Sequence, residues 1–233
     1  MKVEIYSDIA CPWCYVGKRR FERALAAFPG GSDIEVTYRP YQLDPTTPHE
    51  PSPLRERLAE KFGAANLAGM NDRLAQVGEA EGITFDFEKA LSVNTFTAHR
   101  VLWFALREYG PAVQAGLKDR LLDAYFARGA NVADAERLTA IAVDAGLDGD
   151  RVAAFLASDE GVEEVRGEIT EAQAIGVTAV PTFVFEGQWA VQGAQEASTF
   201  LQVLEQVREQ TAEHAGGAAA QGGDACADGA CSP

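Results

Sequence analysis

Cys11 and Cys14 are separated by Pro12 and Trp13, and they stand where a strand pattern gives way to a helix pattern. Two thiols at this spacing can carry redox chemistry. A thiolate on the first sulphur attacks a disulfide, and the second thiol is close enough to attack the mixed disulfide that results. The pair can therefore cycle between dithiol and disulfide. Thiolate is the attacking form, and the free N–H groups and dipole at a helix N-terminus stabilise it. Pro12 suits the first helical position, where a missing N–H is no loss. C-x2-C spacing also makes half of a zinc site. Spacing alone leaves a redox pair, a metal half-site and a chance pair open; the strand–helix setting favours the redox pair.

A second pair, Cys226 and Cys231, lies near the other end of the chain. Twelve of the last twenty residues, from His214, are Ala or Gly, and none is aromatic, Lys or Arg. Such a composition cannot bury a core, so 212–233 is expected to be a flexible tail. A Gly-rich tether of about 14 residues reaches roughly 20 Å, against a body radius of gyration of roughly 17–18 Å. Cys226 or Cys231 could then exchange with Cys11 or Cys14 at an effective concentration on the order of millimolar. Idle thiols, or one zinc site shared by all four cysteines, are the competing readings.

The elements that must hold the first pair follow from periodicity. Residues 2–7 alternate as a strand, and Pro12 to about Phe28 is helical, with Val16, Phe21, Leu25 and Phe28 near one face. Ile34 to about Tyr41 reads as a second strand, ended by Asp44-Pro45. From Ser52 to Gly176 the chain is almost all helical, with breaks at Gly110-Pro111 and starts near Ser52, Asn94-Thr95, Asp134 and Asp148. Residues 181–186 form an apolar strand, Gly187-Gln188 a turn, Trp189 to Gln192 its partner, and Ala194 to Thr211 a closing helix. The order is β-α-β, a helical block, then β-β-α.

Other polar residues carry less. His99 lies on an apolar helix, where a lone His is a core or boundary residue more often than a catalyst; Arg100 reads as structural. His49 and His214 are scattered, which speaks against a His-based metal site. No carboxylates show a paired catalytic spacing.

The chain has 233 residues and a net charge of −15, with 20 basic and 35 acidic residues. That balance argues against nucleic acid and anionic membranes as partners, both of which need clustered Lys and Arg. No apolar run reaches the roughly 18 residues of a membrane span. The N-terminal MKVEIYSDIA has no apolar core of a secretory leader. A cytoplasmic location is therefore expected, where structural disulfides are rare. The oligomeric state is not legible.

The β-α-β…β-β-α order is the thioredoxin arrangement with a helical block between its halves. The stretch SDIACPWCYVGKRRFERAL, then Asn94-Thr95 with Ala98-His99-Arg100, Gly176-Val177, Val180-Pro181-Thr182-Phe183 and Gly193-Ala194-Gln195 resemble the DsbA family and, more narrowly, its FrnE-like branch. The resemblance covers residues 2 to about 205. It implies an α/β thioredoxin fold with an inserted all-helical domain: 1–51 and 177–211 as the thioredoxin half, 52–176 as the insertion. It implies thiol–disulfide exchange or isomerisation on protein or peptide substrates, with Cys11 and Cys14 catalytic. Pro12, Trp13, Val180 and Pro181 would contact substrate, Val180-Pro181 would be cis, and no cofactor beyond the redox disulfide is needed, glutathione being a conceivable co-substrate.

The strong oxidants of the wider family typically carry a His between the cysteines. Their thiol pKa is about 3.5 in DsbA, against about 7 in thioredoxin. Trp13 supplies no cation, and Asp8 would oppose a Cys11 anion. A less depressed Cys11 pKa and a potential below DsbA's value of about −120 mV are expected. The family also resembles 2-hydroxychromene-2-carboxylate isomerases and kappa-class glutathione transferases. Those isomerases generally carry Ser at the first cysteine position, whereas this chain has both thiols. A zinc-binding or peptide-binding module without turnover is the third class.

Overall fold

Alternating apolar residues make Lys2–Ser7 a strand, β1, with Val3 and Ile5 buried. The structure, a computed structural model, describes residues 1–220. The chain turns at Asp8 to Ala10 and enters α1 (Pro12–Ala27), with Pro12 in the first helical turn. It returns as β2 (Glu35–Pro40), parallel to β1. Two short strands follow, β3 (Ser52–Pro53) and β4 (Leu91–Ser92), which pair antiparallel and bracket α2 (Leu54–Phe62) and α3 (Ala64–Ala80). The helical run continues through α4 (Phe96–Tyr109), α5 (Pro111–Arg128), α6 (Ala135–Asp144), α7 (Gly149–Leu156) and α8 (Val162–Ala174). Then come β5 (Thr182–Phe185), β6 (Trp189–Gln192) and α9 (Ala197–Ala220).

The main sheet has the order β2-β1-β5-β6, with β5 antiparallel to both its neighbours. β1 is thus interior, and its C-terminal end delivers the chain into the Cys11–Cys14 turn. One face of the sheet is closed by α1 and α9. Phe21, Phe183 and Phe200 interlock there, with ring centroids 5.1, 5.3 and 4.5 Å apart. A second core gathers the helical block around Leu117, Leu121, Leu122, Tyr125 and Phe126. It reaches into the first half through Ile9, Tyr15 and Val16, so the two halves share buried contacts beside the thiols.

Several polar contacts join the halves, two of them through α5. The buried Gln114 side chain of α5 accepts from Tyr38 N at 2.8 Å and donates to Tyr38 O at 2.9 Å. It gives one residue of edge strand β2 the pairing a further strand would supply. Lys18 of α1 binds Asp119 of α5 at 3.1 Å, and Arg19 meets the same carboxylate at 2.9 Å.

Two local expectations are revised, at Ser52-Pro53 and in the closing helix, while the Asn94-Thr95 cap is as read. Ser52-Pro53 is the short strand β3, and the helix begins one residue later at Leu54. At the start of α4, Thr95 occupies the cap position, but the side chain of Asn94 accepts the bond from Phe96 N at 2.9 Å. Asn94 also donates to Pro45 O and Thr47 O at 3.2 and 2.9 Å, tying the α4 entry to the long connection after β2. The closing helix starts at Ala197 rather than Ala194 and runs to Ala220, past the expected end at Thr211. The stretch from 212 to Ala220 thus continues the helix where composition suggested loose chain. Cys226 and Cys231 lie outside the described residues.

Candidate active site

Cys11 is the N-cap of α1, with φ −97° and ψ 110°, and Cys14 lies in the first turn. The backbone N–H of Cys14 donates to Cys11 O at 3.0 Å, which closes that turn. Both cysteines are reduced and buried, at 4% and 2% exposure, whereas Trp13 between them is 37% exposed. The loop before β5 comes up beside them. Its Val180-Pro181 bond is cis, and the Cys11 thiol donates to Val180 O at 3.6 Å.

Gly17, one turn beyond Cys14, makes this approach feasible. A Cβ there would lie 3.0 Å from Pro181 Cγ and 3.4 Å from Ala194. The absence of a side chain at Gly17 lets the proline loop lie directly on α1. Sequence reading did not single out Gly17; a glycine inside a helix pattern is the signal that could have found it.

The opposite side of the thiol pair is polar and closed. Asp8 is 2% exposed; its carboxylate accepts from Ile9 N at 2.7 Å and Leu43 N at 2.8 Å, and meets His99 Nε2 at 3.1 Å. Burial opposes ionisation of Asp8, but the hydrogen bond and charge of His99 and the Leu43 N–H outweigh it, so its pKa is lowered. Burial lowers the pKa of His99, against the opposing pull of the Asp8 carboxylate. His99 therefore joins the site from behind, as a partner of Asp8. Arg100 turns away and donates to the carbonyls of Ser158 and Glu160, each at 2.7 Å.

Contact with Cys14 and then burial push ionisation of Cys11 up, with the Asp8 charge adding to them. At Cys14 burial is outweighed by the hydrogen bond from Cys11 and by the charge of Lys118. The two sulphurs titrate as a pair, the first proton leaving readily and the second being held. The charge of Lys118 thus favours ionisation of Cys14, although no cation lies between the two cysteines. Lys118 comes from α5 in the helical block, and sequence reading missed it. Its spacing from Leu121, Leu122 and Tyr125 puts it on the buried stripe of α5, which was the available signal.

Among the described residues, no three His, Cys, Asp or Glu side chains are grouped to hold a metal, and no helix is long and apolar enough to cross a membrane.

A cis-proline loop laid against a dithiol at the start of α1, on a sheet of this order, defines a thioredoxin-like fold of the DsbA type. The DSBA-like thioredoxin domain matches residues 2–205, and the chain belongs to that family. It is similar to a probable DsbA oxidoreductase from Streptomyces coelicolor, with 41% identity, a TM-score of 0.83 and 90% of each chain covered. It is 27% identical to the uncharacterised protein YwbO of Bacillus subtilis, over 87% of this chain and 94% of that one. It shares its fold with the cytosolic disulfide reductase DsbM from Pseudomonas aeruginosa, at 19% identity and a TM-score of 0.62, covering 89% and 99%.

Proposed function

We propose that this DsbA-like chain, of the FrnE-like branch, exchanges disulfides with protein or peptide substrates in a reducing compartment, Cys11 attacking and Cys14 resolving. In the reducing direction the Cys11 thiolate attacks one sulphur of a substrate disulfide. The Cys11–substrate bond forms as the substrate S–S bond breaks, and the other substrate sulphur leaves with the electron pair and takes up a proton. The Cys14 thiolate then attacks Cys11 Sγ. The second substrate thiol departs, the substrate has gained two electrons, and the pair is a disulfide. Run backwards, the same steps oxidise a dithiol. Glutathione enters this scheme as a thiol co-substrate that returns the pair to the dithiol.

The observation that carries the proposal is the 3.6 Å approach of Cys11 Sγ to the carbonyl just before the cis proline. An extended substrate that donates an N–H to Val180 O would place its sulphur against Cys11. Pro12, exposed Trp13 and Pro181 would form the walls, and the helical block 52–176 the closed back. A glutathione-dependent isomerisation needs no second thiol, so Cys14 speaks for exchange.

Reduction of insulin by glutathione tests this. Cys11→Ser is expected to lower the rate on the order of 10³-fold or more. Cys14→Ser should accumulate a Cys11 mixed disulfide visible by mass spectrometry of unreduced protein. Retained turnover in Cys11→Ser would refute the assignment.

A further inference from the structure

Arg20 lies on α1 three residues beyond Gly17, so the two share one side of the helix. Its guanidinium is engaged at every nitrogen. Nε donates to Glu81 Oε1 at 2.7 Å, Nη1 donates to the carbonyl of Ala194 at 2.8 Å, and Nη2 meets the Glu196 carboxylate at 2.8 Å. Glu81 ends α3 in the helical block, and its side chain is 3% exposed. Half-exposed Arg23 meets the same Glu81 carboxylate. A carboxylate closed in to this degree is costly unless charged donors meet it. A planar guanidinium gives several such bonds in fixed directions, which an ammonium does not. None of the exchange steps above uses this cluster.

Ala194 is where the cluster meets the site. The residue before it, Gly193, donates its N–H to Pro181 O at 2.7 Å. Ala194 and the Pro181 ring lie side by side on the bare face of Gly17. Gly193 has a φ of 87°, a left-handed value open to glycine. It turns the chain after β6 so that its own N–H reaches Pro181 while the next carbonyl reaches Arg20. The Gln195 side chain donates to Gln192 O at 2.8 Å and closes the same turn. Two hydrogen bonds and two residues of chain thus connect Arg20 to the proline loop. That loop carries Val180 O, the carbonyl 3.6 Å from Cys11 Sγ.

We propose that Arg20 is a positioning residue for substrate docking. Held by Glu81 of the helical block, it fixes the Gly193–Ala194 segment, and through it the cis-proline loop whose Val180 carbonyl receives the substrate backbone. This rests on the thiol-pair reading above and adds to it what keeps the docking carbonyl at its place beside Cys11. The helical block thereby acts on recognition through one guanidinium, without a contact of its own to the substrate backbone. Misplacement of a reacting geometry by about 1 Å can cost on the order of 10²-fold, so loss of a short polar tether is enough to be measured. Residues that hold a site need their own side chains locked by further hydrogen bonds, and Glu81 and Glu196 lock Arg20 in this way.

Glutathione-driven reduction of insulin gives KM and kcat, in full-length protein carrying Cys226→Ser and Cys231→Ser. Arg20→Lys keeps the charge and loses the planar fork; Arg20→Met loses both. In each, KM for insulin is expected to rise about tenfold with kcat within about threefold. Arg20→Lys serves if the Met variant does not fold. Stopped-flow reaction with the aromatic disulfide DTNB separates docking from attack, since Cys11 releases the first thionitrobenzoate and Cys14 the second. DTNB offers no backbone N–H to Val180 O, so its first release should slow only about threefold. The pH midpoint of Cys11 alkylation by iodoacetamide, which needs no docking, should not move. Arg23→Gln removes the other partner of Glu81 and leaves the bond to Ala194, so KM should stay within about twofold. An unchanged KM in the Arg20 variants, a moved alkylation midpoint, a loss on DTNB as large as that on insulin, or an equal rise in KM in Arg23→Gln would overturn the proposal. Absence of the first release in the protein with Arg20 intact would instead overturn the thiol-pair reading.

Discussion

The two sides of the thiol pair are built by different parts of the chain and from different materials. The open side comes from the sheet half: Cys11 at the α1 cap, Val180-Pro181 ahead of β5, and Trp13, with a backbone carbonyl as its chief polar group. The closed side is mostly the work of the helical block, which sends His99 from α4 and Lys118 from α5 toward Asp8 and Cys14. Backbone and apolar walls suit the substrate role proposed for the open side, since these accept many sequences. A surface that sets ionisation is best made from buried charges, where low polarisability makes each one count. The inserted block therefore does more than cover the site: it supplies the electrostatics that a bare β-α-β turn lacks.

The strongest way to break this division is at Lys118. Its pKa is lowered from 10.5 to about 8 in the folded protein, so the folded state binds fewer protons than the unfolded chain between those values. The stability it contributes is full above pH 10.5 and is lost as pH falls through about 8. Lys118→Met removes that penalty. Urea unfolding of the reduced protein at pH 7 should show the variant more stable by about 2–3 kcal/mol, with the gap closing toward pH 10.5. A variant less stable at pH 7 would mean that the charge is compensated, and the closed side would not be the strained one.

Gly17 tests the open side. Gly17→Val forces a branched side chain against Pro181 and Ala194, and overpacking of this kind costs about 1–3 kcal/mol. Thermal unfolding should show the loss, and the first release from DTNB should slow because the proline loop is displaced from Cys11. If only stability falls, the loop does not position the attacked disulfide. Trp13→Ala should give the smallest change in stability, within about 0.5 kcal/mol, as for other exposed positions. Its effect should appear as a changed preference among peptide substrates in competition assays. Unchanged preferences would remove Trp13 from the recognition surface.

Much of this could be read from residues alone. The alternation of Val3 and Ile5, the placement of Pro12, the Gly110-Pro111 break, and Asp134 and Asp148 as caps are local signals. They sit where they were read because each depends on neighbours a few residues away. Asp134 and Asp148 accept from Arg137 N and Arg151 N at 2.8 and 2.9 Å, as N-caps do. The errors came where the partner is distant. Ser52-Pro53 is a strand only because Leu91-Ser92 lies beside it.

The sequence by itself determined the chemistry of the open side. Two cysteines at C-x2-C spacing, a proline between them and a strand leading in are enough to put thiols at a helix start, because strand, turn and helix periodicity act over short distances. Only the tertiary structure decided the chemistry of the closed side. Asp8 and His99 are 91 positions apart, and Lys118 lies more than a hundred from Cys14. Burial and Coulomb interaction depend on distance in space, and no pattern along the chain encodes which lysine will be closed in beside which thiol.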